Sequence, residues 1–91
     1  MERKDIKSIL QCPYKDILEY LLGIVNLTED ELRVIREVDI KGYTEEFTAE
    51  TLGVSRAYIQ NKRSKAYKKL SKVWKDNHFV RLLLKEMRGD K

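Results

Sequence analysis

The stretch Thr44–Leu70 constrains the fold more than any other part of the sequence, because two helical patterns in it are joined by a turn centred on Gly53. Glycine adopts the left-handed backbone conformation that a tight turn between helices requires. The positions that would face inward from both helices carry small or apolar side chains: Ala49, Leu52, Val54 and Ile59. No strand pattern competes anywhere in the chain, so the sequence predicts a helix-turn-helix within an all-α fold.

Charge is distributed unevenly on the two sides of this turn. Between Thr28 and Glu50 the acidic residues outnumber the basic ones, whereas between Ser55 and Lys75 there is no acidic residue. A helix with so much unneutralised positive charge predicts a polyanionic partner. The alternative interpretation is a solvated charged face without a partner. The basic residues of the second stretch are Arg56, Lys62, Arg63, Lys65, Lys68, Lys69, Lys72 and Lys75.

The length of the chain limits what its fold can enclose. A domain of 91 residues buries only about 60–65% of its unfolded surface. Most helices must therefore contribute to one shared core, and little remains to line a deep substrate cavity. The sequence predicts a single helical domain, residues 1–91, that is not an enzyme.

The sequence predicts no cofactor and no metal site. His78 has no cysteine or second histidine at metal-ligand spacing, and Cys12 is expected to pack as a small hydrophobe. A single cysteine cannot form an intramolecular disulfide, no segment approaches the roughly 20 apolar residues of a membrane span, and the N-terminus lacks the long apolar run of a signal peptide. We therefore expect a cytoplasmic protein with no membrane partner.

Local signals predict where the helices begin. Thr28 and Glu31 have the spacing of a capping box, and Thr44 and Ser55 are candidate caps for the two helices of the motif. The predicted fold is a compact bundle of about four to five helices. Its helix-turn-helix core lies at about residues 28–73, with flanking helices at about 14–26 and 77–88.

Three parts of the chain admit two interpretations each. The segment Asp5–Cys12 has enough apolar residues for a short helix or for a loosely ordered arm. Trp74 either packs the last helix against the domain or stacks on a base. The segment Phe79–Met87 either folds back on Tyr14–Val25 to close one core or is shared across a homodimer.

A longer stretch, Leu27–Leu70, resembles region 4 of the sigma-70 family and the related phage and LuxR-type regulators. The resemblance rests on an LTEDEL-like opening, a GYTEE-like lead into the first motif helix, LGVSR at the turn and an SKAYKKL-like end. It covers about half of the chain. It implies binding of double-stranded DNA at a promoter or operator, and hence a sequence-specific transcriptional regulator.

The resemblance also implies which residues contact DNA. In that family the helix that begins at the SR of LGVSR enters the major groove, so the implied base-contacting residues are Arg56, Ala57, Tyr58, Gln60 and Asn61. Arginine pairs bidentately with guanine, and glutamine or asparagine with adenine, for about 1–3 kcal/mol of discrimination each. Phosphate contacts position such a protein without much sequence choice. The candidates for them are Thr44, Ser55, Lys62, Arg63, Lys65, Lys68 and Lys69.

Two residues depart from the family pattern. Thr48 and Lys62 stand where an apolar residue is usual. Either the helices are rotated slightly, or Thr48 buries its methyl group and Lys62 lays its stem along the surface. A sigma factor also needs a separate segment that melts the promoter, and a chain this short predicts a stand-alone regulator or accessory factor instead.

Two other functions remain alternatives to a DNA-binding regulator. One is a protein-interaction module that binds RNA polymerase or another regulator through its acidic face or its terminal helix. The other is a phage packaging or recombination accessory protein that uses the same motif on DNA. Binding of random duplex DNA as the salt concentration is raised distinguishes the interaction module from the regulator, because phosphate contacts make affinity salt-dependent.

Overall fold

The structure, a computed structural model, describes residues 1–89. Its six α-helices are α1 (Arg3–Leu10), α2 (Lys15–Gly23), α3 (Glu29–Val34), α4 (Glu45–Leu52), α5 (Arg56–Trp74) and α6 (His78–Met87), and α3 runs directly into a π-helix, Ile35–Ile40. Residues 1–89 contain no strand, so the predicted all-α class is confirmed. None of the helices in this range is long and apolar enough to cross a membrane.

The number of helices exceeds the predicted four to five because the N-terminal segment is helical. Of the two interpretations of Asp5–Cys12, the structure has the helix, α1. Ile6, Ile9 and Leu10 are 0–2% exposed and lie in the main core. A helix this short is only marginally stable by itself, so burial of this apolar face stabilises α1.

Side chains cap the helices where the sequence predicted them. Thr28 Oγ1 accepts a hydrogen bond from the Glu31 amide at 3.1 Å, and Glu31 Oε1 accepts one from the Thr28 amide at 2.9 Å. This reciprocal pair confirms the capping box at the start of α3. Ser55 and Thr44 cap α5 and α4 in the same way, each hydroxyl accepting an amide hydrogen bond at 3.0 Å.

The π-helix after α3 was not predicted, and it changes which residues face the core. The Lys41 amide bonds to the Arg36 carbonyl at 2.8 Å, five residues back, and the chain then turns at Gly42, where φ is 84°. The wider turn brings Asp39 inward, where it is 2% exposed. Val38 is only partly buried, whereas Val34 is 1% exposed.

The buried side chains form two clusters, and α5 contributes to both. The larger cluster joins α1, α2 and α6 to the C-terminal half of α5. Trp74 is fully buried in it, and its indole Nε1 donates a hydrogen bond to the Leu21 carbonyl at 3.0 Å. Trp74 therefore packs inside the domain and does not face a base. The smaller cluster lies around the N-terminal half of α5 and consists of Val34, Ala49 and Ile59.

The last helix, α6, folds back onto the main core with one face only. Val80, Leu83 and Leu84 are buried in the main core, where α6 lies against α1 more than against α2, the helix on which the sequence predicted that it could fold back. Phe79 is 57% exposed and Leu82 52%, so neither belongs to the buried face. The face that is buried lies about 100° away from Phe79 because Val80, Leu83 and Leu84 repeat at helical spacing.

Candidate nucleic-acid interface

A three-residue turn, residues 53–55, fixes the orientation of α5 relative to α4. Gly53 has φ 69° and ψ 35°, in the left-handed region. The Val54 amide then donates a hydrogen bond to the Ala49 carbonyl at 3.0 Å, which closes the end of α4. A residue with a Cβ atom is strained in this conformation. Since Ser55 already caps α5, the backbone between the two helices has little freedom.

The smaller cluster holds α3, α4 and α5 together beneath this turn. Val34, Ala49 and Ile59 come from one helix each and are 0–6% exposed. Alanine at the crossing allows the backbones of α4 and α5 to approach closely. Thr48, which stands where the family pattern has an apolar residue, is also buried at 1% exposure. Among residues 1–89 its Oγ1 has no hydrogen-bond partner.

The solvent face of α5 carries a row of exposed residues, three of which are lysines. Starting at Ala57, exposed residues follow at helical intervals of three or four positions. With a rise of about 1.5 Å per residue, the row is about 22 Å long. We call it the basic stripe, and it consists of Ala57, Asn61, Lys65, Lys68 and Lys72.

The lysines of the basic stripe have no carboxylate partner in the part of the chain that the structure describes. No salt bridge among residues 1–89 involves Lys65, Lys68 or Lys72. Three like charges therefore stand on one helix face and repel one another by a few tenths of a kcal/mol per pair. A polyanion placed along this face removes that repulsion.

The predicted base-contacting residues do not all lie on the basic stripe. Ala57 and Asn61 belong to it, whereas Arg56 and Gln60 lean toward the first turn of α4. Tyr58 is partly buried and lies along the edge of the basic stripe opposite Arg56 and Gln60. Lys62 Nζ is 5.4 Å from the centre of its ring. This cation–π contact accounts for Lys62, the second residue that departs from the family pattern.

Glu45 of α4 holds three side chains of α5. Gln60 Nε2 donates a hydrogen bond to Glu45 Oε1 at 3.3 Å, Arg56 Nε lies 3.5 Å from the same oxygen, and Arg63 NH1 donates to Oε2 at 3.0 Å. Arg56 also pairs with Glu46 at 2.9 Å. Burial works to raise the pKa of Glu45, but the hydrogen bonds from Arg63, Gln60 and Arg56 outweigh it and lower that pKa. Glu45 is thus a charged anchor for this side of α5.

Arg63 takes part in a network inside the protein. Its Nε and NH2 groups donate to the two carboxylate oxygens of Asp39 at 3.0 and 2.6 Å, and the Tyr67 hydroxyl donates to Asp39 Oδ1 at 2.6 Å. The Asp39 side chain is fully buried and that of Arg63 is 23% exposed. The hydrogen bond to Asp39 raises the pKa of Arg63, and burial, with Asp39 next, raises that of Tyr67 to about 12.

Lys69 is also engaged within the protein. Its Nζ lies 2.7 Å from Glu31 Oε1, the oxygen that accepts the Thr28 amide in the capping box. Burial works to raise the pKa of Glu31, but the hydrogen bonds from Lys69 and Thr28 lower it overall. Lys69 therefore ties α5 to the start of α3. Of the predicted phosphate-contacting residues, Lys65 and Lys68 remain on the solvent face, and Ser55 at the turn and Thr44 at the start of α4 are exposed as well.

Two residues of this surface were not among the predicted site residues. Lys72 extends the basic stripe. Helical periodicity would have placed it there, because it lies on the side of α5 opposite the buried residues Ile59, Ala66 and Leu70. Glu45 was predicted only as an acidic residue of a first helical turn. Its role as an anchor depends on how α4 crosses α5, which no local pattern reveals.

No metal centre accompanies this surface. Within residues 1–89, histidine, cysteine and acidic side chains nowhere form a group of three or more that could hold a metal ion. Comparisons of the chain with protein-family models, with curated proteins and with solved structures found no match.

Proposed function

We propose that the protein is a sequence-specific transcriptional regulator that binds double-stranded DNA with α5 in the major groove. The observation that carries the proposal is the basic stripe on α5, a helix of 19 residues without an acid. Its three lysines are aligned on the solvent face and have no carboxylate partner within residues 1–89. Phosphates supply a complementary row of negative charge, and the major groove is wide enough to admit an α-helix.

The way α4 and α5 are joined supports a helix-turn-helix. Two helices connected by a three-residue turn that contains glycine, with a third helix packed behind them, have the make-up of this motif. The family resemblance of Leu27–Leu70 to sigma-70 region 4 and LuxR-type regulators points the same way. In the proposal α4 crosses the DNA backbone and the N-terminal part of α5 reaches the base edges.

The proposal divides the predicted contacts into direct and supporting ones. Asn61 and Ala57 face the groove from the basic stripe, and Lys65, Lys68 and Lys72 bind phosphates. On binding DNA, Arg56 and Gln60 give up their contacts with Glu45 and form hydrogen bonds with base edges. Because the Arg56 side chain is 57% exposed, its surface ion pairs contribute only about 0–1 kcal/mol, so a bidentate contact to guanine can replace them.

Arg63 and Lys69 have supporting roles in this proposal. Both pair with buried carboxylates, Arg63 with Asp39 and Lys69 with Glu31. Moving Arg63 to a phosphate would leave the fully buried Asp39 carboxylate without its cation, at a cost of several kcal/mol. Moving Lys69 would remove the cation from Glu31, which would keep the hydrogen bond from the Thr28 amide. We therefore assign them to holding α5 in its orientation, and not to phosphate contact.

Fluorescence anisotropy with random-sequence duplex DNA tests the proposal. Affinity should fall steeply with salt, and replacing Lys65, Lys68 and Lys72 by glutamine together should flatten the slope of log K against log salt by about 3. The matched control replaces Lys15, Lys41 and Lys85, which removes the same charge elsewhere and should change the slope by less than about 1. Absence of binding at low salt would refute the proposal.

Sequence specificity needs its own measurement, because phosphate contacts are insensitive to sequence. Selection from random duplexes should yield a preferred site, and Asn61→Ala should relax one position of it by about 1–3 kcal/mol. Lys68→Ala should instead weaken all sequences alike. If both variants lower affinity uniformly, the protein binds DNA without reading it.

A further inference from the structure

A groove lies between α1 and α5, beside the basic stripe. We call it the α1–α5 groove. Its volume is about 200 Å³, below the roughly 300–1,000 Å³ of pockets that enclose a small molecule. Its size therefore suits one group of a larger ligand. The residues that line it include Arg3 and Ile6 of α1, and Ser64, Tyr67, Lys68 and Ser71 of α5.

The α1–α5 groove carries positive charge and hydroxyl groups. Its two charged residues are Arg3 and Lys68, and no salt bridge within residues 1–89 involves either of them. Ser64 lies one turn before Lys68 on α5 and Ser71 one turn after it, so the three side chains share one side of the helix. Guanidinium, ammonium and hydroxyl groups are typical partners of phosphate oxygens. The composition of the groove therefore favours a phosphate.

Tyr67 holds Arg3 in position at the groove. The Arg3 guanidinium carbon lies 5.1 Å from the centre of the Tyr67 ring, which is a cation–π distance. The ring is itself fixed, because the Tyr67 hydroxyl donates a hydrogen bond to the buried Asp39 carboxylate at 2.6 Å. A guanidinium group stacked on an aromatic ring keeps the N–H donors at its edge available. Ordering Arg3 in advance reduces the entropy lost when it binds an anion.

The acidic residues next to Arg3 pair with other cations. The Glu2 carboxylate lies 3.3 Å from Lys4 Nζ, and Asp5 pairs with Arg88 just beyond the end of α6. Asp5 and Arg3 lie on opposite sides of α1, because residues two positions apart on a helix are turned by about 200°. Neither carboxylate lines the α1–α5 groove. The charge of Arg3 is therefore left for a ligand.

We infer that the α1–α5 groove binds a backbone phosphate of double-stranded DNA, which makes α1 a second DNA-binding element beside α5. Lys68 belongs both to the groove and to the basic stripe, so a row of phosphates along the stripe continues into the groove. The inference rests on the proposed function, because one duplex contacts both sites. It adds Arg3, Ser64 and Ser71 to the phosphate contacts.

The length of α5 places the groove where this helix leaves the DNA. Lys68 lies about 16 Å beyond Ala57 along α5, at about 1.5 Å per residue. The major groove is about 12 Å wide, so a helix whose N-terminal part lies in it crosses the bordering strand within such a distance. α1 lies beside this part of α5 and adds Arg3 to the contact.

The continuity of the two sites favours DNA over an acidic peptide. A peptide carboxylate in the groove satisfies Arg3 and Lys68, whereas a DNA strand offers regularly spaced charges to Lys65 and Lys72 as well. Poly-glutamate serves as the competing probe. If it binds as tightly as duplex DNA, with the same dependence on Arg3, the assignment to a DNA phosphate is overturned.

Fluorescence anisotropy with random-sequence duplex DNA, measured as the salt concentration is raised, tests the inference in Arg3→Gln. Losing one phosphate contact should flatten the slope of log K against log salt by about 1 and raise the dissociation constant at low salt about 5-fold. Arg3→Lys keeps the charge and should restore most of the slope. Arg3 is exposed, so circular dichroism should show unchanged helix content in both variants.

Lys85→Gln is the matched control, because Lys85 is an exposed cation on α6. Asp5 pairs with Arg88, at the end of α6, on the side of α1 opposite Arg3. Removing this distant charge should change the salt slope by less than about 0.3. Equal slopes in Arg3→Gln and Lys85→Gln, with DNA binding intact, overturn the inference and leave the proposed function standing. A wild-type protein that binds no duplex at low salt overturns both.

Single neutral methylphosphonates, placed one at a time along the preferred duplex, locate the phosphate that the groove binds. Replacing that phosphate should weaken the wild-type protein about 5-fold and Arg3→Gln by less than about 2-fold, because the contact is already absent in the variant. A merely structural role of Arg3 would not produce this difference at one position. Equal weakening of both proteins at every position overturns the inference.

Discussion

Removing Arg63 tests most directly whether its network with Asp39 and Tyr67 holds α5 in place. In Arg63→Ala the fully buried Asp39 carboxylate keeps only the hydrogen bond from the Tyr67 hydroxyl at 2.6 Å. Breaking one side of a buried ion pair costs about 3–5 kcal/mol, because the remaining charge is neither solvated nor neutralised. Since small domains have about 5–15 kcal/mol of stability in total, the loss is a large fraction.

Urea denaturation at neutral pH, followed by far-ultraviolet circular dichroism, measures this loss as a change in the free energy of unfolding. Lys65→Ala is the matched control, because Lys65 is an exposed cation on the same helix, two residues away. It should change the free energy of unfolding by no more than about 0.5 kcal/mol. The comparison distinguishes the loss of a cation that is paired with a buried carboxylate from the loss of a solvent-exposed cation.

A double-mutant cycle sharpens the experiment. Asp39→Asn removes the buried charge that Arg63→Ala leaves unpaired. The free energy of unfolding lost in the double variant should therefore be smaller than the sum of the two single losses, by about 1.5–3 kcal/mol. Losses that add, or an Arg63→Ala loss below about 1 kcal/mol, would refute the reasoning. In DNA binding, Arg63→Lys at a temperature where it is folded should leave the salt slope unchanged, whereas Lys68→Ala should reduce it by about 1.

Three further predictions concern single buried groups. Thr48→Val should raise the free energy of unfolding by about 1–2 kcal/mol, measured in thermal melts. The substitution replaces a buried hydroxyl that has no hydrogen-bond partner in residues 1–89 by a methyl group of similar shape. Thr48→Ser should instead lower the free energy of unfolding. The folded-state pKa of Tyr67 is raised from 10.0 to about 12, so its contribution to stability is complete below pH 10 and is lost toward pH 12. Absorbance titration of tyrosinate should show a late-titrating group near pH 12 that is lost in Tyr67→Phe. The pKa of Glu31 is lowered below 4.5, so its contribution is present above that pH and lost below it, and acid unfolding of Glu31→Gln should show a shallower loss of stability as the pH falls.

The anchoring of Arg56 and Gln60 by Glu45 bears on how α5 would read DNA. In the free protein both side chains are already extended along one side of α5, within 3.5 Å of one carboxylate. Ordering them in advance reduces the side-chain entropy lost on binding. The same carboxylate would repel a nearby phosphate, so a mismatched site would leave Arg56 with its protein partner. Glu45 would thus contribute to specificity without contacting a base.

Much of the local structure follows from sequence patterns that act within about four residues. The capping box at Thr28, the hydroxyl caps at Thr44 and Ser55, and the left-handed turn at Gly53 each depend on one side chain or one missing side chain near a helix end. Such interactions need no knowledge of the rest of the chain. They are therefore readable in advance, as is the acid-free run of α5.

The features that sequence patterns left open or missed all depend on contacts between distant residues. α1 is helical because the main core buries its apolar face, and the π-helix brings Asp39 to Arg63 across 24 positions of the chain. The charge of Arg63 and Lys69 made them candidates for phosphate contact, but the structure pairs them with buried carboxylates. The charge of a residue does not show whether an oppositely charged side chain lies next to it on another helix.

The sequence alone thus determines an all-α chain, where α3, α4 and α5 begin, the turn at Gly53, and the positive charge along α5, because these depend on backbone preference, short-range hydrogen bonds and composition. The tertiary structure decides which of those charges face solvent. Within residues 1–89 it leaves Lys65, Lys68 and Lys72 without a carboxylate partner, and it pairs Arg63 and Lys69 with buried carboxylates. The physical reason is that burial and ion pairing are set by how helices cross, and helix crossing is settled only when all of them pack around α5.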